Sequence, residues 1–257
     1  MNKLVQRGFD PDKVYVEPEA FIFGSLSQKV IQPDGQWDES LPEFEHQAKS
    51  FETYGCTVYG SQNQVEIYLK KVFGMDKNYA ERFNYTIIGI TPPGANPQLA
   101  YQSFRHDGLI NQELLPETDT LEEFKDIRKI TPKLRSKGKE WGYKLSHEWI
   151  RRPSKEDIKE ALRYSPIALG VTAWFEEGGL YVDRGQKNTH WAVAYGYIED
   201  EQGIILKIFD SYDKSFKLLH PDHNISIAKR ILITKAEPKQ YSNNWLLDLL
   251  MAFRKGR

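Results

Sequence analysis

The chain has 257 residues, 40% of them apolar and 28% charged, with a formal net charge of −1. That composition places it among ordinary folded globular proteins and excludes a disordered chain, a strongly basic nucleic-acid binder and a polybasic membrane-surface protein. Its single cysteine, Cys56, cannot close an intramolecular disulfide, and no run of about 18 apolar residues is present to span a bilayer.

The N-terminal MNKLVQRGFDPDKVYVEP lacks the apolar stretch of a secretory leader, so the expected location is reducing and cytoplasmic. The pieces VYV and FIFGSL with the turn signal Pro33-Asp34-Gly35 read as extended segments draped on the domain. Val58, Val65, Leu69 and Val72 recur at helical spacing, which predicts a helix over 57–72 with its N-terminus at Cys56. Asn96-Pro97 is a cap and first-turn pair and Asp107-Gly108 a stop, predicting a helix over 97–107. Residues 121–143 read as helical but broken by Pro132 and Gly138, and Ser154-x-x-Asp157 ahead of Ile158, Ala161 and Leu162 starts another helix by the capping-box pattern.

Beyond Pro166 the texture changes. IALGVTAW, HWAVAYGYIED, GIILKIFDSY and ISIAKRILITK are runs rich in Ile, Val, Trp and Tyr, as strands require. The closing YSNNWLLDLLMAFRKGR reads as a short amphipathic helix packed on the domain. Helices first and strands second, with no βαβ alternation and no repeat, predict an α+β fold.

Chemistry gathers at three positions. Unpaired N–H groups at a helix start favour a thiolate, and Cys56 holds that position, although an isolated cysteine also serves as a buried apolar residue. His190 opens a strand whose face carries Ala192, Ala194 and Gly196, small enough for a helix to pack closely. A three-residue link, Asp200-Glu201-Gln202, would set Ala192 opposite Asp210 and make His190 its diagonal neighbour, about 7–8 Å away and within side-chain reach. A carboxylate on one imidazole nitrogen fixes the tautomer and leaves the other nitrogen for the thiol proton. His220-Pro-Asp-His223 has the look of a metal loop but reads as a turn without further ligands, so neither metal nor cofactor is expected. The basic residues Arg128, Lys129, Lys133, Arg135, Lys137 and Lys139 read as a solvated helical face, with no nucleic-acid partner expected.

These residues resemble the papain-like cysteine peptidases of the C1 type. GCTVYGSQNQVE is similar to the segment in which that family's nucleophile begins the central helix, HWAVAYGY to its histidine strand, and IFDSY to its Asn-Ser-Trp strand end. The resemblance runs in family order over about 42–235. It implies one papain-like domain over 1–257, with a helical lobe at about 42–165, a β lobe at 166–235 and a C-terminal helical tail at 236–257. It implies Cys56 as nucleophile, His190 as base, Asp210 as orienting residue, Gln47 as oxyanion donor, Tyr212 as the aromatic covering the pair, and Gly94 and Ala95 lining the substrate cleft. Peptide or protein substrates follow, cut through an acyl-enzyme. A peptidoglycan amidase or endopeptidase and a non-catalytic binding module of the same fold are the alternatives. The family's pattern is altered in four places: Gln47 stands nine residues before Cys56, Thr57 replaces a tryptophan, Asp210 replaces an asparagine, and the disulfide cysteines are missing, which points to a bacterial or viral relative. No inhibitory helical pro-segment is expected before Gln47.

Overall fold

The computed structural model describes residues 8–9, 24, 29–212 and 216–236. The amphipathic helix expected at the C-terminus and most of the N-terminal extended pieces lie outside them. At the centre is α1, Cys56–Phe73, which is buried on every side from Cys56 to Leu69 and therefore shows little amphipathic bias. Its buried polar groups are spent on the sheet: Gln64 Nε2 donates to the carbonyls of Pro166, at 2.7 Å, and Lys229, at 2.8 Å. Gly74, at φ 65°, ends the helix in the left-handed conformation that glycine adopts without a Cβ clash.

The other helices of this half are α2, Glu81–Ile88, α3, Pro97–His106, the single turn α4, Leu121–Phe124, and α5, Pro132–Lys139. The Asn96 side chain caps α3 by accepting from the Gln98 N–H, as its sequence signals require. The expected helix over 121–143 is instead two short helices with a 3-10 turn at Ile127–Lys129 between them. Pro132 begins α5 behind the Thr131 cap, and Gly138 lies inside it, where a Cβ would stand 2.2 Å from the Asp107 carbonyl oxygen.

The strands are β1 Gly8–Phe9, β2 Gly94–Ala95, β3 Tyr143–Arg151, β4 Ile167–Val171, β5 Glu176–Glu177, β6 Leu180–Tyr181, β7 His190–Asp200, β8 Gly203–Phe209, β9 Phe216–Leu219 and β10 Ile227–Lys235, and α6, Lys155–Leu162, starts on the expected capping box at Ser154 and Asp157. Eight of the described strands form one sheet in the order β3-β10-β4-β7-β8-β9-β6-β5, antiparallel except where β6 meets β9. Strand β3, from inside the 42–165 stretch, pairs along its full length with β10. Its buried polar side chains find partners across the sheet: Arg230 Nη2 is 2.6 Å from Glu148 Oε2 and Lys229 Nζ is 3.0 Å from His147 Nδ1.

The hairpin that returns Asp210 differs from its expected form. Asp200 pairs with Gly203 across a two-residue turn, and a bulge at Tyr195 shifts the register so that Ala194 faces Ile208 and Val193 faces Phe209. The bulge restores the register that a three-residue link would have produced. The close approach of helix and strand also has a different source. It rests on Gly60 of α1, where a Cβ would lie 2.8 Å from the Trp191 carbonyl oxygen, and Trp191 Nε1 donates to Ser61 Oγ at 3.1 Å.

Candidate active site

Cys56 is the first residue of α1 and is fully buried. The loop before it is fixed by its own polar groups: the Gly55 N–H donates to Thr53 Oγ1 at 3.0 Å, and Tyr85 Oη donates to the Thr53 carbonyl at 2.8 Å. Tyr54 adopts φ 54°, a left-handed conformation rare for a side-chain-bearing residue, and Glu52 Oε1 accepts its N–H at 2.7 Å. The helix start was expected to favour thiolate. Burial outweighs it and pushes the thiol well above its ordinary range, reinforced by the negative charges of Glu52 and Asp210, while the backbone N–H groups of Trp191 and Thr57 oppose the shift.

His190 opens β7 and joins Asp210, just beyond the end of β8, through a short hydrogen bond from Nε2 to Oδ1. Both side chains are fully buried. Its other nitrogen, Nδ1, is buried and has no partner among the described residues. The ring is clamped edge-on by Trp174 at 5.5 Å and Tyr212 at 5.4 Å. Trp191, the next residue, packs on Gly60 and Ser61, so the strand that opens with His190 lies against the helix that opens with Cys56.

The second oxygen of Asp210 meets a residue the sequence reading did not single out. Lys217 Nζ, from β9, lies 2.7 Å from Asp210 Oδ2 and donates to the Tyr212 carbonyl at 2.8 Å. Burial alone would raise the Asp210 carboxyl, but the charges and hydrogen bonds of His190 and Lys217 outweigh it and hold it below the usual carboxylate range.

Gln47 is buried beside this group. Its N–H donates to the Ser211 carbonyl at 3.0 Å, its Oε1 accepts from Ser211 Oγ at 2.7 Å, and its Nε2 reaches Glu52 Oε1 at 3.4 Å. Tyr212 Oη donates to the other oxygen of Glu52. Glu52, like Lys217, belongs to the site and was missed: a lone acid in a loop and a lone lysine in FKLL carry no local sign that the fold will bury them.

Gly94 and Ala95 form β2, and its partner is the chain's own β1, running parallel to it, with Gly8 opposite Gly94 and Phe9 opposite Ala95. Gly8, at φ 103°, threads against the backbone beside Cys56, where a Cβ would fall 2.2 Å from the Tyr54 carbonyl oxygen. Phe9 is fully buried, its ring 5.5 Å from that of Trp191 and against Gly170. Its N–H donates to the carbonyl of Thr189, immediately before His190, at 3.3 Å. Gly8 and Phe9 are thus inserted between the Tyr54 side and the Thr189 side of the site.

His223 is a structural histidine. Its Nε2 accepts the Thr172 N–H at 3.2 Å, its Nδ1 donates to the Tyr181 carbonyl at 3.1 Å, and burial pushes its pKa down to about 4. Among the described residues no group of three or more His, Cys, Asp or Glu side chains could hold a metal ion, and no helix is long and apolar enough to cross a membrane.

No protein-family model matches the chain, and no curated protein matches it in sequence. Solved structures do match. Procathepsin L 3 from the larval midgut of Tenebrio molitor superposes with a TM-score of 0.62 at 14% identity, over 89% of this chain and 76% of that one. The proform of the ragweed pollen allergen Amb a 11, a cysteine protease, gives 0.60 at 16% identity, over 84% and 69%. The bromelain protease of Ananas comosus, solved with the E64 inhibitor, gives 0.57 at 15% identity, over 78% of this chain and 98% of that one. The chain has the papain-like α+β fold.

Proposed function

We propose that the chain is a cysteine peptidase. Cys56 attacks the carbonyl carbon of a peptide bond, and His190 takes the thiol proton at Nδ1 and passes it to the departing amine. Water then attacks the thioester, which releases the acid and restores the thiol. Asp210 holds the imidazole in the tautomer and orientation this requires. One observation carries the reading: His190 is anchored through Nε2 to the buried Asp210 carboxylate while Nδ1 stays buried and unpartnered among the described residues. His223 satisfies both nitrogens and buried His147 leaves Nε2 without a partner among the described residues, but only His190 of the three has its other nitrogen held by a buried carboxylate.

Gln47 supplies the oxyanion donor once its amide turns from Glu52 toward the cleft, and Tyr212 screens the His190–Asp210 pair from water. The backbone of Gly94 and Ala95 offers the edge along which an extended substrate lies, and Gly8 and Phe9 hold that edge in the resting state. A substrate therefore has to displace this short strand. The test is a peptide-library digest run beside purified peptidoglycan, with the full chain and its Phe9→Ser and Cys56→Ala variants. Cleavage of peptides that is greater for Phe9→Ser and absent for Cys56→Ala supports the reading. Cleavage confined to peptidoglycan reassigns the substrate to the cell wall, and cleavage that survives Cys56→Ala removes the thiol from the chemistry.

A further inference from the structure

We propose that Lys217 is a positioning residue for the reaction, a fourth member of the Cys56–His190–Asp210 series that fixes the Asp210 carboxylate against His190 and balances its charge. This rests on the peptidase reading above. Asp210 spends one oxygen on each neighbour, Oδ1 on His190 and Oδ2 on Lys217. A carboxylate gripped at both oxygens cannot swing about its own bond, so the imidazole it holds keeps one orientation.

The setting of the ammonium argues against an incidental ion pair. The Lys217 side chain is 2% exposed and that of Asp210 0%. Besides Asp210, Nζ is bound by the Tyr212 carbonyl and faces the rings of Trp174 at 5.0 Å and Tyr181 at 5.7 Å. Trp174 and Tyr212 are the two residues that clamp the imidazole from its sides. The lysine box and the histidine clamp are therefore built from shared parts, and moving one moves the other.

The charge has a consequence of definite sign. Asp210 alone would stabilise the imidazolium strongly. A second cation 2.7 Å from the same carboxylate offsets much of that attraction, so removing it should strengthen the carboxylate's hold on an imidazolium. Among the described residues the other titratable groups facing this assembly are Cys56 from α1, Glu52 and His46 through Tyr212, and Tyr181 from β6 with Glu176, which accepts its hydroxyl; Lys217 is in direct contact with the carboxylate.

The experiment is a pair of titrations on the full-length chain, wild type and Lys217→Met: the pH dependence of iodoacetamide alkylation at Cys56, and the ring signal of His190 by NMR with labelled histidine. The short strand over the cleft slows both alkylation series alike and leaves the midpoints unaffected. Lys217→Met should raise the His190 midpoint by about one pH unit, a tenfold change in its dissociation constant. An unchanged midpoint with only a lower melting temperature would make Lys217 purely structural and overturn the proposal. Should Lys217→Met not fold, Asp210→Asn/Lys217→Met, which leaves no buried ion stranded, is compared with Asp210→Asn. A higher midpoint in the double variant upholds the coupling of the Lys217 charge to His190, and equal midpoints refute it. A shifted midpoint in a chain that cuts no peptide upholds the coupling of Lys217 to His190 and counts against the peptidase reading alone.

Discussion

Phe9 and Trp191 lie ring to ring at 5.5 Å, and the Phe9 N–H bonds to the carbonyl of Thr189, so a single early residue is fastened to both neighbours of His190. Gly8 passes against the Tyr54 carbonyl, two residues before the fully buried Cys56. Fully burying a phenylalanine side chain contributes about 1.5–3 kcal/mol, enough to keep the strand in place but little enough for a substrate or a single substitution to release it.

Phe9→Ser should therefore speed iodoacetamide modification of Cys56 at pH 7 by about 10- to 100-fold, the equivalent of that burial energy. Mass spectrometry of the modified chain over time gives the rates. Equal rates in the two chains would mean that residues 8–9 do not guard the thiol.

Asp210→Ala removes the partner of two buried groups at once, His190 and Lys217. Its stability loss should reach about 3–5 kcal/mol in urea unfolding, the usual cost of stranding a buried charge. Asp210→Asn, which keeps the shape and the bond to His190 but not the charge, should lose less stability than Asp210→Ala while still altering the pH profile. A stability loss below about 1 kcal/mol in Asp210→Ala would mean that the Lys217–Asp210 pair contributes little to the fold.

Glu81 is fully buried, and neither carboxylate oxygen finds a hydrogen-bond donor among the described residues. Burial first, then the charge of Glu45, pushes its pKa well above the ordinary value, and burial does the same to Glu66. The folded state thus binds more protons than the unfolded one over this window, so these groups support folding below the usual glutamate value of about 4.3, and that support is lost as pH rises through their folded values. Asp210, with its lowered pKa, has the opposite sign and loses its contribution only as the medium becomes strongly acidic. Glu81→Gln should flatten the decline in melting temperature between pH 5 and pH 8 and melt higher than wild type at the upper end. An unchanged slope would show that Glu81 is ionised in the folded state.

Gly60→Ala sets helix propensity, which favours alanine by about 1 kcal/mol, against a Cβ 2.8 Å from a backbone oxygen. Backbone cannot yield as a side-chain tip can, so overpacking should win, with a net loss of about 1–2 kcal/mol by urea unfolding. A gain in stability would show that the packing of α1 on β7 is looser than its geometry implies.

The fold was readable where local chemistry dictates local structure. Asn96-Pro97, Ser154-x-x-Asp157 and the apolar periodicity after Cys56 each became the helix their residues require. Strand β3 was missed because YKLSHEWIR mixes charges into a run that the sheet buries, and the partners that make those charges tolerable, Lys229 and Arg230, lie about 80 residues further on. The break at Pro132 was legible, since α5 begins there behind the Thr131 cap, whereas Gly138 does not break that helix but lies inside it. Cys56, His190 and Asp210 were legible as residue types on predicted elements. Lys217, Glu52 and the covering Phe9 were not, since each acquires its surroundings from segments that only tertiary structure brings near.

The most direct measurement is the rate of Cys56 alkylation near pH 6 in the Phe9→Ser chain, with and without His190→Ala. Activation of the thiol by His190 requires fast modification that falls at least about tenfold when the imidazole is removed. A slow rate typical of an unactivated thiol, unchanged by His190→Ala, would contradict the thiol–imidazole pair on which the proposed activity depends.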